Sequence, residues 1–175
     1  MEQNEMSREE TVEWLMDEYG KKVVRLAYTY LKQEQLAEDV AQEVFIRCYQ
    51  KFDTFRQESS YHTWIYSITV NLCKDRLKSW SFRNLVFSDF FSSRGISDHT
   101  PESNLLHLEA KTELSQSVLG LPIKYREIMI LFYYEELTYK EIEDLLGVSS
   151  QTIKSRLHRG RNMLRKKLKG GEGNE

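Results

Sequence analysis

Apolar residues recur along most of this chain at intervals of three and four, the spacing that gathers side chains on one face of a helix. Ser7 and Glu10 have the spacing of a capping box, and Val12, Leu15, Tyr19, Val23, Leu26 and Tyr30 follow, predicting a first helix that ends near Leu31. Leu36, Val40, Val44 and Cys48 form an inward stripe on a second helix, from about Glu34 to Phe52, whose other face is polar. The stretch Asp53 to His62 has loop composition, and Ile65, Ile68 and Leu72 face inward on a third helix from about Thr63 to Trp80. No segment shows the strict alternation of a strand.

After Trp80 the pattern changes. Residues 81–103 lose clear periodicity, gain serine and carry Gly95 and Pro101, so they are expected to form a flexible linker. Phe82, Phe87, Phe90 and Phe91 are too many aromatics for a free tether, which predicts a partly ordered segment resting on another surface. A second helical unit begins near Glu102 with Leu105, Leu108, Val118 and Leu119, breaks at Gly120 to Pro122, and resumes with Ile128, Leu131 and Phe132. The final GGEGNE has nothing to bury and is expected to be disordered. The predicted fold is all-α with two small domains: an N-terminal helical bundle (1–80) and a C-terminal helix-turn-helix domain (104–169), joined by the 81–103 linker and followed by the 170–175 tail.

The segment from Thr138, TYKEIEDLLGVSSQTIKSRLHRGRNMLRKKL, carries the most chemistry. Two amphipathic helices are separated by Leu-Gly-Val-Ser: Gly147 permits a left-handed turn, Val148 plugs the corner, and Ser149 or Ser150 can cap the second helix. Ile142, Leu145, Ile153 and Leu157 close the pair over a core. Gln151, Lys154, Ser155, His158 and Arg159 then fall on the outward side, positioned to enter a major groove. Gln and Arg present forked groups to base edges, Ser and His can hydrogen-bond there, and Lys and Arg neutralise phosphate. Arg156, Arg161, Arg165, Lys166 and Lys167 are better placed for the DNA backbone than for bases.

Charge supports that assignment. The formal net charge of −2 conceals a segregation: residues 149–169 hold 8 Lys/Arg and no Asp/Glu, whereas residues 1–60 hold 8 Lys/Arg against 13 Asp/Glu. A run of unopposed cations on about five helical turns is an electrostatic footprint for phosphate. No apolar run reaches the roughly 20 residues needed to span a bilayer, and the acidic, polar N-terminus is unlike a signal peptide, so a cytoplasmic chain is expected. Cys48 and Cys73 lie inside apolar patterns and are expected to be buried small hydrophobes. His62, His99, His107 and His158 lack ligand spacing, so no metal is expected. Without a phosphate-binding glycine loop or a nucleophile paired with a base, neither enzymatic activity nor a cofactor is expected.

The C-terminal segment resembles the −35-reading domain of extracytoplasmic-function sigma factors, in the order Leu121-Pro122, Arg126, Glu141-Ile142, Leu146-Gly147-Val148-Ser149 and Thr152-Ile153-Lys154-Ser155-Arg156-Leu157. The first domain is similar to the other half of the same family. Ala37-Glu38-Asp39-Val40-Ala41-Gln42-Glu43-Val44-Phe45 resembles its polymerase-binding helix, and Thr63-Trp64-Ile65 with Asn71 and Asp75 resembles its −10-reading helix. Two positions depart from the Ala usual in the family, Glu143 and Gly160; the glycine costs roughly 1 kcal/mol of helix propensity but can allow close backbone approach.

The resemblance implies an alternative sigma factor that binds core RNA polymerase and directs initiation at particular promoters. Asp39, Gln42, Glu43 and Ile46, on one face of the second helix, would dock on the clamp helices of the largest subunit, and the second domain on the flap of the second-largest. Trp64, Asn71, Lys74, Asp75 and Lys78 would face the −10 element, with Phe55, Arg56, Ser59, Ser60 and Tyr61 in the preceding loop suited to hold an unstacked base. Ser149, Ser150, Gln151, Lys154, Ser155, Arg156, His158, Arg159 and Arg161 would contact the −35 duplex. An anti-sigma factor, which can be membrane-bound, is the implied regulator, and no obligate homo-oligomer is needed. The competing reading is a helix-turn-helix regulator that dimerises and binds DNA without polymerase.

Overall fold

The computed structural model describes residues 6–55, 60–88 and 113–171. Among them are seven helices and no strand: α1 (Arg8–Leu31), α2 (Glu34–Gln50), α3 (Tyr61–Ser88), α4 (Glu113–Leu119), α5 (Ile123–Met129), α6 (Tyr139–Leu146) and α7 (Ser150–Gly171). The all-α expectation holds.

The first three helices form the bundle. The Ser7 hydroxyl accepts from the Glu10 N–H at 3.2 Å while the Glu10 carboxylate accepts from the Ser7 N–H at 2.8 Å, so the expected capping box starts α1. Lys32, in the left-handed conformation at φ 57°, ends it and donates its N–H to the Tyr28 carbonyl. Leu15, Val23 and Leu26 of α1 pack with Val40, Val44 and Cys48 of α2, and Ala37 and Ala41 bring little bulk between the helices. Ile65, Tyr66, Val70 and Leu72 of α3 complete the core. Burial pushes the thiols of Cys48 and Cys73 up to about 12, consistent with their expected place among the apolar residues.

Four boundaries differ from expectation. The second helix stops at Gln50, and Phe52–Thr54 form a short tighter turn. The third begins two residues earlier than expected and continues past Trp80 to Ser88, so the first eight residues of the expected linker have helical backbone. The last helix reaches Gly171, two residues into the expected tail. The remainder of the linker, Leu105, Leu108, Arg56, Ser59 and residues 172–175 lie outside the described residues.

The second domain relies on shorter helices and polar fastenings. The break at Gly120 to Pro122 falls where expected, and buried Arg126 crosses it, donating to the carbonyls of Leu119 at 2.7 Å and Leu121 at 3.0 Å. The first is a carbonyl that the end of α4 leaves without a helical partner, and the second lies in the break itself. Residues Ile130–Tyr134 continue α5 as one widened π turn, and Leu137 donates back to the Leu131 carbonyl at 3.0 Å. At Gly160, α7 comes close to α5: a Cβ there would lie 3.2 Å from Met129 Cγ, a contact the Met129 side chain would have to relieve by a few tenths of an ångström, and 3.6 Å from Tyr125 Cβ, an ordinary contact.

The domains also touch. Helices α1 and α5, and α3 and α6, pack together, and the buried apolar residues of both halves belong to one cluster.

Candidate nucleic-acid interface

The helix-turn-helix is built by α6 and α7. Thr138 and Glu141 form a second capping box, with the Thr138 N–H donating to Glu141 at 2.8 Å. Hydrogen bonds from the Thr138 backbone and hydroxyl hold the Glu141 carboxyl below its ordinary value. Gly147 adopts the left-handed conformation at φ 66°, as the turn requires. Ser149 is the cap of α7: its Oγ accepts from the Thr152 N–H at 3.3 Å. Ser150 instead donates its hydroxyl to Glu143 at 3.0 Å, which gives the unusual Glu143 a role as a staple across the turn.

Ile142, Leu145, Ile153 and Leu157 are buried, which turns the opposite side of α7 outward. Gln151, Lys154, Ser155, His158 and Arg159 are all exposed on that side. Lys154 lies over the Tyr139 ring, 5.6 Å from its centroid, and a hydrogen bond from Arg159 draws the Tyr125 hydroxyl below its ordinary pKa. His158 contacts Asn162 at 3.0 Å, and Arg161 donates to the Tyr133 hydroxyl at 2.9 Å. Further along, Lys167 donates to the Gly120 carbonyl at 3.1 Å, fastening α7 to the end of α4. Arg156 is set apart from the outward row, half-buried and 3.6 Å from the Glu127 carboxylate.

On α3, Asn71, Asp75 and Lys78 are exposed, while Lys74 is half-buried and pairs with Glu127 at 3.2 Å. The start of the helix is aromatic. Phe55 stacks on Tyr61 with centroids 4.7 Å apart and leans on Trp64 at 4.8 Å, and Trp14 of α1 extends the row, 6.0 Å from Tyr61. Trp64 is therefore half-buried within a ring cluster. Ser60 accepts from the Thr63 N–H at 3.2 Å, so its hydroxyl caps α3.

On α2, Asp39, Gln42 and Ile46 are exposed, Ile46 at 57%, a conspicuous apolar side chain on an acidic face. Glu43 is bound to its neighbours, 2.7 Å from Arg47 and 3.0 Å from Arg76. Burial alone would raise its carboxyl, but the hydrogen bonds from Arg76 and Arg47 outweigh it and hold the group below its ordinary value. Phe45 is core.

Three participants had no sequence signal. Trp14 fits the helical pattern of α1 without distinguishing itself, Arg76 is one of several cations on α3, and Glu127 meets Lys74 only through packing of residues distant in the chain.

Residues 15–82 match the family described as Sigma-70 region 2, and residues 111–164 match Sigma-70, region 4. Among curated proteins, the chain is 34% identical over 163 residues to the ECF RNA polymerase sigma factor SigW of Bacillus subtilis (strain 168), covering 89% of this chain and 87% of that protein. It is 30% identical over 162 residues to the RNA polymerase sigma-H factor of Pseudomonas aeruginosa, covering 88% of this chain and 84% of the relative. The fold is similar to that of the sigma factor RpoE solved in complex with the anti-sigma factor NepR from Bartonella quintana, with a TM-score of 0.71, 23% identity and coverage of 90% of this chain and 96% of that one. A structure of CnrH in complex with the cytosolic domain of CnrY gives a TM-score of 0.66 at 19% identity, covering 91% and 88%.

A helical domain of the region 2 kind followed by one of the region 4 kind defines a transcription initiation factor. The chain belongs to the extracytoplasmic-function sigma factors of the sigma-70 family. It is an RNA polymerase sigma factor directing promoter-specific initiation, and the dimeric regulator reading gives way to this one. Among the described residues, no helix is long and apolar enough to cross a membrane.

Proposed function

We propose that this sigma factor divides its work between a region 2-like domain, residues 1–80, and a region 4-like domain, residues 104–169, with residues 81–103 setting their separation. The exposed face of α2, Asp39, Gln42 and Ile46 with Glu43 at its edge, docks on the clamp helices of core polymerase. The acidic groups supply charge complementarity and Ile46 an apolar anchor. The second domain meets the flap of the second-largest subunit.

The start of α3 and the loop before it capture the melted −10 strand. The ring cluster of Phe55, Tyr61 and Trp64 offers faces on which an unstacked base can rest, while Asn71 reads a base edge, Lys74 and Lys78 hold phosphate, and Asp75 orients a neighbour. Arg56, Ser59 and Ser60 complete that reading from the loop. The −35 duplex is read by α7. Gln151, Lys154, Ser155, His158 and Arg159 face the major groove, and Ser149, Ser150, Arg156 and Arg161 hold the backbone around it.

One observation carries the reading: a continuous exposed row of base-reading and phosphate-binding side chains on α7, opposite a buried apolar stripe and preceded by a left-handed turn at Gly147. The protein acts by positioning polymerase and DNA and performs no catalysis of its own. Its place is the cytoplasm, associated with the nucleoid when active. Its regulator is an anti-sigma factor, in keeping with the complex with the anti-sigma factor NepR in which the structurally similar RpoE was solved.

The test is promoter binding by holoenzyme carrying Arg159→Ala. Discrimination between the preferred and an altered −35 element should fall by roughly 1–3 kcal/mol, with core binding unchanged. Undiminished discrimination removes Arg159 from the reading set. Charge reversal at Asp39 and Glu43 should weaken assembly with core; unchanged affinity removes that face from the interface.

A further inference from the structure

Glu127 is the charged residue whose surroundings the functional reading does not explain. It lies on α5 of the second domain, only 6% exposed, a burial at which a carboxylate needs partners to replace its water. Its partners come from both domains. The Tyr30 hydroxyl of α1 donates to Oε2 at 2.9 Å, Lys74 Nζ of α3 lies 3.2 Å from the same oxygen, and an Arg156 guanidinium nitrogen of α7 lies 3.6 Å from Oε1. A second seam runs parallel, where the Tyr66 hydroxyl of α3 donates to Glu135 beyond the π turn. Nearby, Arg25 of α1 sits over the Tyr134 ring at 5.0 Å.

Two of the three groups at Glu127 are cations that the proposed reading assigns to DNA, Lys74 to the −10 strand and Arg156 to the −35 backbone. We infer that Glu127 is an internal counter-ion that clamps the two domains of the free chain together and withholds Lys74 and Arg156 from DNA. The masking rests on the proposed DNA roles of those cations; the clamp itself rests on the contacts alone.

The chemistry suits a reversible contact. An ion pair that separates into water rehydrates both members, so opening leaves no stranded buried charge. A phosphate can then take the place of the carboxylate as partner for either cation. Closure and promoter engagement therefore compete for the same groups, and polymerase, which must hold the domains apart to reach two promoter elements, shifts the chain to the open form.

The test uses the full chain with donor and acceptor dyes on Lys51→Cys and Lys169→Cys, two exposed positions outside the assigned faces. The native thiols are buried and resist labelling at neutral pH. Glu127→Gln keeps the shape of the group and loses its charge; Tyr66→Phe loses one hydroxyl and keeps its ring in the core; Glu136→Gln removes the same charge from an exposed neighbouring site as a control. High transfer efficiency is expected in the parent chain and lower efficiency in the first two variants. With it, polymerase-free binding of duplex DNA at low salt should tighten by roughly tenfold for Glu127→Gln and about threefold for Tyr66→Phe, with little change for Glu136→Gln. Low transfer in the parent chain, or unchanged transfer in Glu127→Gln, overturns the clamp; unchanged transfer in Tyr66→Phe alone overturns only the part given to the second seam. Opening without a gain in DNA binding overturns the masking, and promoter binding by holoenzyme carrying Lys74→Ala then tests the DNA reading by itself.

Discussion

The two domains reach the same end, a helix held with one face outward, by different means. The first is made of long helices of 24, 17 and 28 residues closed over an apolar core, and its surface helix α2 needs no side-chain cap. The second has helices of 7, 7 and 8 residues before α7, each too short to be stable by itself, and fixes them with an arginine fork, a capping box and a left-handed glycine. Stability in the first domain is thus spread over many contacts. The second also has an apolar core, including Ile128, Leu131, Ile142, Leu145, Ile153 and Leu157, but a few polar atoms set where its short helices end, and with them the orientation of the DNA-facing row.

Alkaline pH should break the comparison most severely. Burial raises both thiols of the first domain from 9.0 to about 12, so above pH 9 the unfolded chain releases protons that the folded chain keeps. The stability these groups contribute is fully present below pH 9 and is lost as pH rises toward about 12, a window that denaturant melts at successive pH values will read. Next comes Leu26→Ala, which opens a cavity in the three-helix core and should cost about 2–5 kcal/mol in the same assay. Arg126→Ala strips two carbonyls of their donors and should cost about 3 kcal/mol, with loss of DNA binding by the second domain. Gly147→Ala forces a Cβ into the left-handed region at about 1–2 kcal/mol. The smallest pair is the sharpest: Ser7→Ala and Thr138→Ala remove equivalent caps at about 1 kcal/mol each, but only Thr138→Ala should weaken promoter binding. Equal effects of the two on promoter binding would show that the cap of α6 has no special bearing on the reading helix.

The helices themselves were legible because each carries its own period. The stripes of α1 and α2, the capping box at Ser7 and the glycine turn at Gly147 are local signals, and the structure has each of them; the same spacing at Thr138 and Glu141 was an equally local signal that went unread. The outward row on α7 follows from the same arithmetic, since fixing Ile153 and Leu157 inside fixes the other face outside. What escaped has a common physical cause. The extension of α3 to Ser88 runs through serines and aromatics whose helix propensity is middling, where backbone hydrogen bonding continues without an apolar stripe to announce it. The Glu143–Ser150 staple, the Phe55–Tyr61–Trp64 cluster and the partners of Glu127 are meetings of residues through tertiary packing, and no spacing along the chain encodes them. Among the candidate site residues, sequence therefore separated outward from inward well, but it could not say that Lys74 and Arg156 share a carboxylate or that Ser60 is occupied as a cap.

The measurement closest to the central claim is transcription in vitro with core polymerase alone and with core plus this chain, on a promoter library from the source genome. Specific new start sites, sharing two upstream elements at fixed separation and dependent on the chain, are the predicted result. Transcripts unchanged by the chain, together with tight duplex binding by a dimer without polymerase, would contradict the account.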